Sequence, residues 1–134
     1  MVLLSLELSC LIMEDTLMTT AELAKAFTDL LKQGDHAGAA AKYNADDIVS
    51  YEAMEGPMAV CKGKDAVKQK GDWWSANHEV HDASAEGPYV NGDQFAVRFM
   101  MDITRKETGE RVKMDEVGLY TVKNGKIVEE RFYY

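Results

Sequence analysis

Basic clusters are missing from this chain. No run of Lys and Arg exceeds two residues, and 15 basic against 23 acidic side chains give a formal net charge of −8. Proteins grip nucleic-acid backbones with concentrated positive charge, so no nucleic-acid partner is expected. Long apolar runs are missing as well: no stretch of about 18 uncharged apolar residues occurs, and a membrane-spanning helix is not expected. Cysteine is scarce. Cys10 and Cys61 lie far apart, without C-x-x-C or any Cys/His ligand spacing, and read as free thiols of a reducing cytoplasm. The sequence has no G-x-S-x-G, H-E-x-x-H, P-loop or glycine-rich dinucleotide fingerprint, which removes the common nucleophile, zinc-protease and nucleotide chemistries. Neither a metal nor an organic cofactor is assigned.

What is there reads as one domain. The 134 residues are enough to bury about two thirds of the unfolded surface. Apolar content of 46% and charged content of 28% are ordinary for a globular protein. Residues 1–18 stand apart: the segment is apolar like a signal core, but it contains Glu7, lacks a basic start and offers no small-residue cleavage site. It is expected to be a non-native or disordered extension, with the domain spanning 19–134.

Thr19-x-x-Glu22 is a capping box, Leu23, Phe27, Leu30 and Leu31 follow at helical spacing, and Gly34 sits where a helix ends. Asp35-His36 opens a second helix through Tyr43, with His36 solvated at its start. Asn44 to Asp47 should break this helix before a short strand from Ile48 to Ala53. Gly63-Lys64-Asp65 opens a third helix, about 66–76, with an acid in its first turn. Trp73 and Trp74 are adjacent, so one is expected in the core and the other against a cavity or interface. His78 to Ala85 reads as a polar strand, and the odd spacing of His78 and His81 puts them on opposite faces.

The last third carries three longer strands. Gln94–Arg105 alternates, with Phe95, Val97, Phe99, Met101 and Ile103 on one face. Arg111–Lys123 returns after a glycine-bearing reversal, and Asn124-Gly125 suits a tight hairpin into Ile127–Tyr134. Met114, Glu116 and Tyr120 are taken as inward on the middle strand. A slip of one residue would turn Asp115, Val117 and Leu119 inward instead. Helices followed by a meander give an α+β domain, with helices on one side of the sheet and the other side free for a second subunit.

Five segments together resemble a known family: Tyr43-Asn-Ala-Asp-Asp-Ile-Val-Ser50, Gly63-Lys-Asp-Ala-Val67, Trp73-Trp74 to His81, Asn91 to Phe99, and Tyr120-Thr-Val-Lys-Asn-Gly-Lys-Ile-Val128. From about Thr20 to Tyr134 the chain is similar to the SnoaL-like branch of the NTF2-like superfamily. The resemblance implies a cone, a curved antiparallel sheet with the N-terminal helices packed on its concave face. It also implies an apolar pocket for a small hydrophobic or aromatic organic molecule, and a homodimer formed through the sheet. Active relatives place a carboxylate on that face. The matching inward positions here are Ser50, Glu52, Phe99, Met101, Met114, Glu116, Glu130 and Phe132. Phe99 and Met101 stand where epoxide hydrolases need Arg-x-Asp, so that activity is disfavoured, and the ketosteroid pairing of Tyr with a protonated Asp is not visible.

Glu52, Glu116 and Glu130 are therefore the candidate catalytic residues. Phe27, Ser50, Trp74, His78, Phe99, Met101, Met114, Tyr120 and Phe132 are the candidate pocket lining. Burial and like charge favour a protonated carboxyl near neutrality, suited to proton transfer beside a carbonyl as in isomerases and polyketide-type cyclases. Against this, a strand glutamate more often meets water or a cation, with Arg98, Arg111, Lys113 and Arg131 available. Two readings stay open: an acid–base enzyme, or a non-catalytic ligand-binding or accessory protein on the same scaffold.

Overall fold

The computed structural model of the chain describes residues 17–134. The expected extension up to residue 16, Cys10 included, lies outside them. Met18 packs against the core, one residue ahead of the domain start expected at 19.

Helix α1 (Thr20–Lys32) begins as its sequence demands. The Glu22 amide donates to Thr19 Oγ1 and the Thr19 amide to Glu22 Oε1, both at 3.1 Å, so two otherwise orphaned N–H groups are paired. Its buried stripe is Leu23, Phe27, Thr28 and Leu31. Helix α2 (His36–Tyr43) follows, capped by Asp35, whose Oδ1 accepts from the Gly38 amide at 2.9 Å. A Cβ at Gly38 would lie 2.2 Å from that carboxylate, so the cap requires glycine there.

Strands β1 (Asn44–Tyr51) and β2 (Val60–Lys62) precede helix α3 (Lys64–Asn77). Then come β3 (His78–Asn91), β4 (Gln94–Arg105), β5 (Arg111–Lys123) and β6 (Lys126–Tyr133). They form one sheet in the order β2-β1-β6-β5-β4-β3. All neighbours run antiparallel except β1 and β6, which are joined by the long crossover a parallel pair requires.

Several boundaries differ from the sequence reading. Asn44 ends α2 as expected, but the polar Asn44–Asp47 stretch already belongs to β1, with an irregularity in the β1–β6 register, and Glu52 falls just past the strand. β2 was not foreseen, because three residues are too few for a periodic signal. β3 continues beyond Ala85, across a register shift between Glu86 and Tyr89.

The core lies between α1 and the inward face of β4 to β6. Phe27 sits edge-on to Tyr43, Phe95 and Tyr120 at 6.4, 5.8 and 5.0 Å, and Phe95 stacks on Tyr120 at 4.9 Å. Tyr120 is 2% exposed and Val122 6%, whereas Val117 on the opposite face is exposed. This settles the middle strand with Met114, Glu116 and Tyr120 inward. Phe27 and Tyr120 thus belong to the aromatic core and not to a cavity wall. Trp73 is exposed and Trp74 half-buried, leaving Val67 as the buried residue of α3. Neither indole reaches the core.

Candidate functional site

Strand register brings the three glutamates together. Ser50 of β1 pairs with Glu130 of β6, Glu130 with Tyr120 of β5, and Tyr120 with Phe95 of β4, a single row across four strands. Two residues along, Phe132 pairs with Gly118 and Gly118 with Val97. Two more along, Glu116 pairs with Phe99. Alternate residues of a strand share a face, so Glu130 and Glu116 look to the same side as the core. Gly118 between them leaves room for the Tyr120 ring: a Cβ there would lie 2.9 Å from Tyr120 Oη.

Among the described residues, one cation enters this face. Lys70 of α3 has a side chain only 12% exposed, and its Nζ lies 2.9 Å from Glu52 Oε1. It also donates to Ser50 Oγ and stands 5.2 Å above the Phe132 ring. The other Glu52 oxygen accepts from Tyr134 Oη at 3.0 Å. Lys70 was missed in the sequence, although helical spacing puts it on one stripe with Val67 and Trp74. The cations proposed there as partners go elsewhere. Arg98 pairs with Asp115 and Glu86, Arg111 with Asp102, and Arg131 with Glu129 and the Tyr51 ring.

Proton affinities follow from these surroundings. Loss of water pushes the Glu116 carboxyl up to about 7, with the Glu52 charge adding to the rise and Lys70 opposing it. Glu130, 8% exposed, is also raised, first by burial; a hydrogen bond with Ser50 and the charge of Lys70 pull it partly back. Tyr120 is held well above its ordinary value by burial, then by Glu130, Glu116 and Glu52. The three acids thus feel one another. They do not form a coordination shell: among the described residues no three His, Cys, Asp or Glu side chains are placed to hold a metal ion.

A hollow of about 210 Å³ opens between the α1–α2 turn and strands β3 and β4, and none of the three glutamates lines it. Leu31, Ala83, Ala85, Phe99 and Met101 form its apolar part, with Lys32, Gln33, His36 and Ser84 around them. Phe99 links it to Glu116, its partner across the strands, and Met101 pairs with Met114. His36 is not merely solvated: its ring tilts against Phe99 at 6.3 Å, and desolvation lowers its pKa against the pull of Asp35. A second hollow, about 340 Å³, lies at the start of α3 among Asp46, Lys62 and Lys64, away from the glutamates.

Of the expected lining, Phe99 and Met101 meet the hollow; Ser50 and Phe132 belong to the acid cluster instead. Trp74 and His78 line neither hollow. They stack on each other at 4.5 Å, and His78 Nδ1 lies 2.7 Å from the Trp74 carbonyl. His81 is exposed and bonded to Thr104. Cys61 is a buried free thiol, and no helix of the described residues is long and apolar enough to cross a membrane.

Comparison with known proteins agrees with this architecture. A protein from Mesorhizobium loti, named as a candidate SnoaL-like polyketide cyclase with carbohydrate phosphatase in brackets, is 77% identical. The match covers 87% of this chain and all of that one, with a TM-score of 0.86. A candidate isomerase from Bacillus subtilis is 18% identical over 87% of this chain and 88% of its own, with a TM-score of 0.68. A protein from Catenulispora acidiphila with a ketosteroid isomerase-like fold, solved with trimethylamine, is 20% identical over 87% of each chain, at 0.67. No curated protein matches. The SnoaL-like domain family matches residues 18–134, nearly the whole of the described structure, and the chain belongs to that family, on an α+β fold of the NTF2-like kind.

Proposed function

We propose that the protein is an acid–base enzyme of the isomerase or cyclase type, acting at a carbon next to a carbonyl of a small, largely apolar molecule. The observation that carries this is Glu116: half-buried, without a side-chain hydrogen bond among the described residues, poised near neutrality, and paired across the strands with Phe99, which lines the apolar part of the hollow. A carboxyl with a pKa near the working pH is present in both forms and can take and return a proton. In this reading the carboxylate of Glu116 removes the α-proton, the C–H electron pair forms a C=C bond, and the carbonyl π pair moves onto oxygen to give an enolate. Glu116 then returns the proton, at the same carbon or another.

Phosphate-ester chemistry fits less well. Three carboxyls face one ammonium, a balance that repels a phosphate. The same surplus of negative charge favours a second reading, a binder of small organic amines, and the relative solved with trimethylamine supports it. Either form is read as a cytoplasmic homodimer joined through the outer face of the sheet. The exposed Tyr89, Val117 and Tyr133 support the dimer, and the reduced Cys61 supports the compartment.

The test is hydrogen–deuterium exchange at the central carbon of aryl 1,3-diketones, followed by proton NMR in D₂O. The enzyme reading expects acceleration that falls about 100-fold or more in Glu116→Gln. Binding without acceleration, or acceleration untouched by the substitution, contradicts it in favour of a binder.

A further inference from the structure

We infer that Lys70 is a positioning residue which divides the acid cluster unequally, holding Glu52 and Ser50 in place and leaving Glu116 as the carboxyl that faces a ligand. This rests on the acid–base reading above and adds the device that selects one acid among three.

The division follows from hydrogen-bond capacity. An ammonium has three donors and no acceptor, and Lys70 spends two of them on Glu52 Oε1 and Ser50 Oγ. Since Ser50 Oγ accepts from Lys70, its own O–H is left to donate, and Glu130 is the acid it bonds. One cation therefore reaches two glutamates, Glu52 directly and Glu130 through a hydroxyl. The remaining Glu52 oxygen is taken by Tyr134. Glu116 meets Lys70 only through space.

The groups facing Lys70 include Ser50 and Glu52 from β1 and its exit, Glu116 from β5, and Glu130 and Phe132 from β6. All the ionisable ones are acids. Among the described residues, Lys70 is thus the single cation seen to compensate any of them. The Phe132 ring beneath the ammonium adds a cation–π contact which holds the long side chain in line.

The test is a ¹³C-carboxyl NMR titration of glutamates 52, 116 and 130 in the wild type, Lys70→Met, Lys70→Arg and Ser50→Ala. With Met at 70 the Glu116 midpoint should rise by about one pH unit or more, as expected when a nearby opposite charge is removed. Arg at 70 should restore most of that change. Ser50→Ala should raise the Glu130 midpoint and leave Glu116 nearly unmoved, which keeps the inference testable if Lys70→Met does not fold. A folded Lys70→Met protein, or Ser50→Ala protein, whose three midpoints match the wild type overturns the inference. A wild-type Glu116 midpoint at an ordinary carboxyl value, with the Lys70 effect intact, would instead sink the enzymatic reading and leave the positioning role standing.

Discussion

The hydroxyl of Tyr120 stands over Gly118: a methyl group at 118 would lie 2.9 Å from Oη and 3.0 Å from the ring. Tyr120 cannot swing away, because Phe27 and Phe95 close on its ring at 5.0 and 4.9 Å. Gly118→Ala should therefore cost about 1–3 kcal/mol, the usual range for overfilling a core. Removing the hydroxyl relieves the closest contact, so Gly118→Ala with Tyr120→Phe should cost less than the two single changes summed. Urea unfolding of all three variants measures that coupling, and simple additivity would show that the ring is freer than this packing implies.

Glu116 should make stability depend on pH in a defined direction. Its carboxyl is raised from 4.5 to about 7, so the folded chain binds the proton more tightly than the unfolded one. The contribution is complete below about 4.5 and is lost as pH climbs through about 7. Glu116→Gln removes this dependence. The variant should match the wild type near pH 4.5 and exceed it at pH 8 by on the order of 1–3 kcal/mol, discounted for partial exposure. Unfolding curves at the two pH values decide it; a variant less stable than the wild type at pH 8 contradicts the burial cost.

Thr28 Oγ1 is buried and, among the described residues, without a hydrogen-bond partner, on the core side of α1 where Thr28 is 0% exposed. An unsatisfied hydroxyl costs more than a methyl of similar shape. Thr28→Val should stabilise the protein by about 1 kcal/mol, seen as a higher denaturant midpoint at unchanged slope. A loss of stability would mean that the hydroxyl has a role in the fold.

Phe27 sits at the centre of three other aromatic rings, Tyr43, Phe95 and Tyr120. Phe27→Ala should cost about 3–5 kcal/mol, the range for deleting a buried aromatic. Thermal unfolding tests this, and a loss below about 1 kcal/mol would mean that the helix is not pinned by this ring.

Much of the scaffold was legible because it is written in periodic or punctuated stretches. The Thr19–Glu22 box and the alternation of Phe95 to Ile103 each point to one local structure. Asn124-Gly125 does so too, with positive φ at both residues. The inward turn of Glu116 could be inferred from its strand alone, since Tyr120 shares its face and needs burial. Lys70 could not be weighed in that way. Its importance depends on α3 crossing the end of β1, a contact between distant parts of the chain that no local pattern records. The short strand β2 and the run of Asn44 into β1 were hidden for the same reason: tertiary pairing overrode turn-like residues. Trp73 and Trp74 misled because size suggests burial, yet α3 lies with only Val67 deeply covered.

The most direct measurement is the titration of the Glu116 carboxyl itself, by ¹³C NMR of glutamate-labelled wild-type protein, with its signal identified from its absence in Glu116→Gln. A midpoint close to 7 would bear out a desolvated acid ready to exchange a proton at neutral pH. A midpoint near 4.5, that of a glutamate in water, would contradict it.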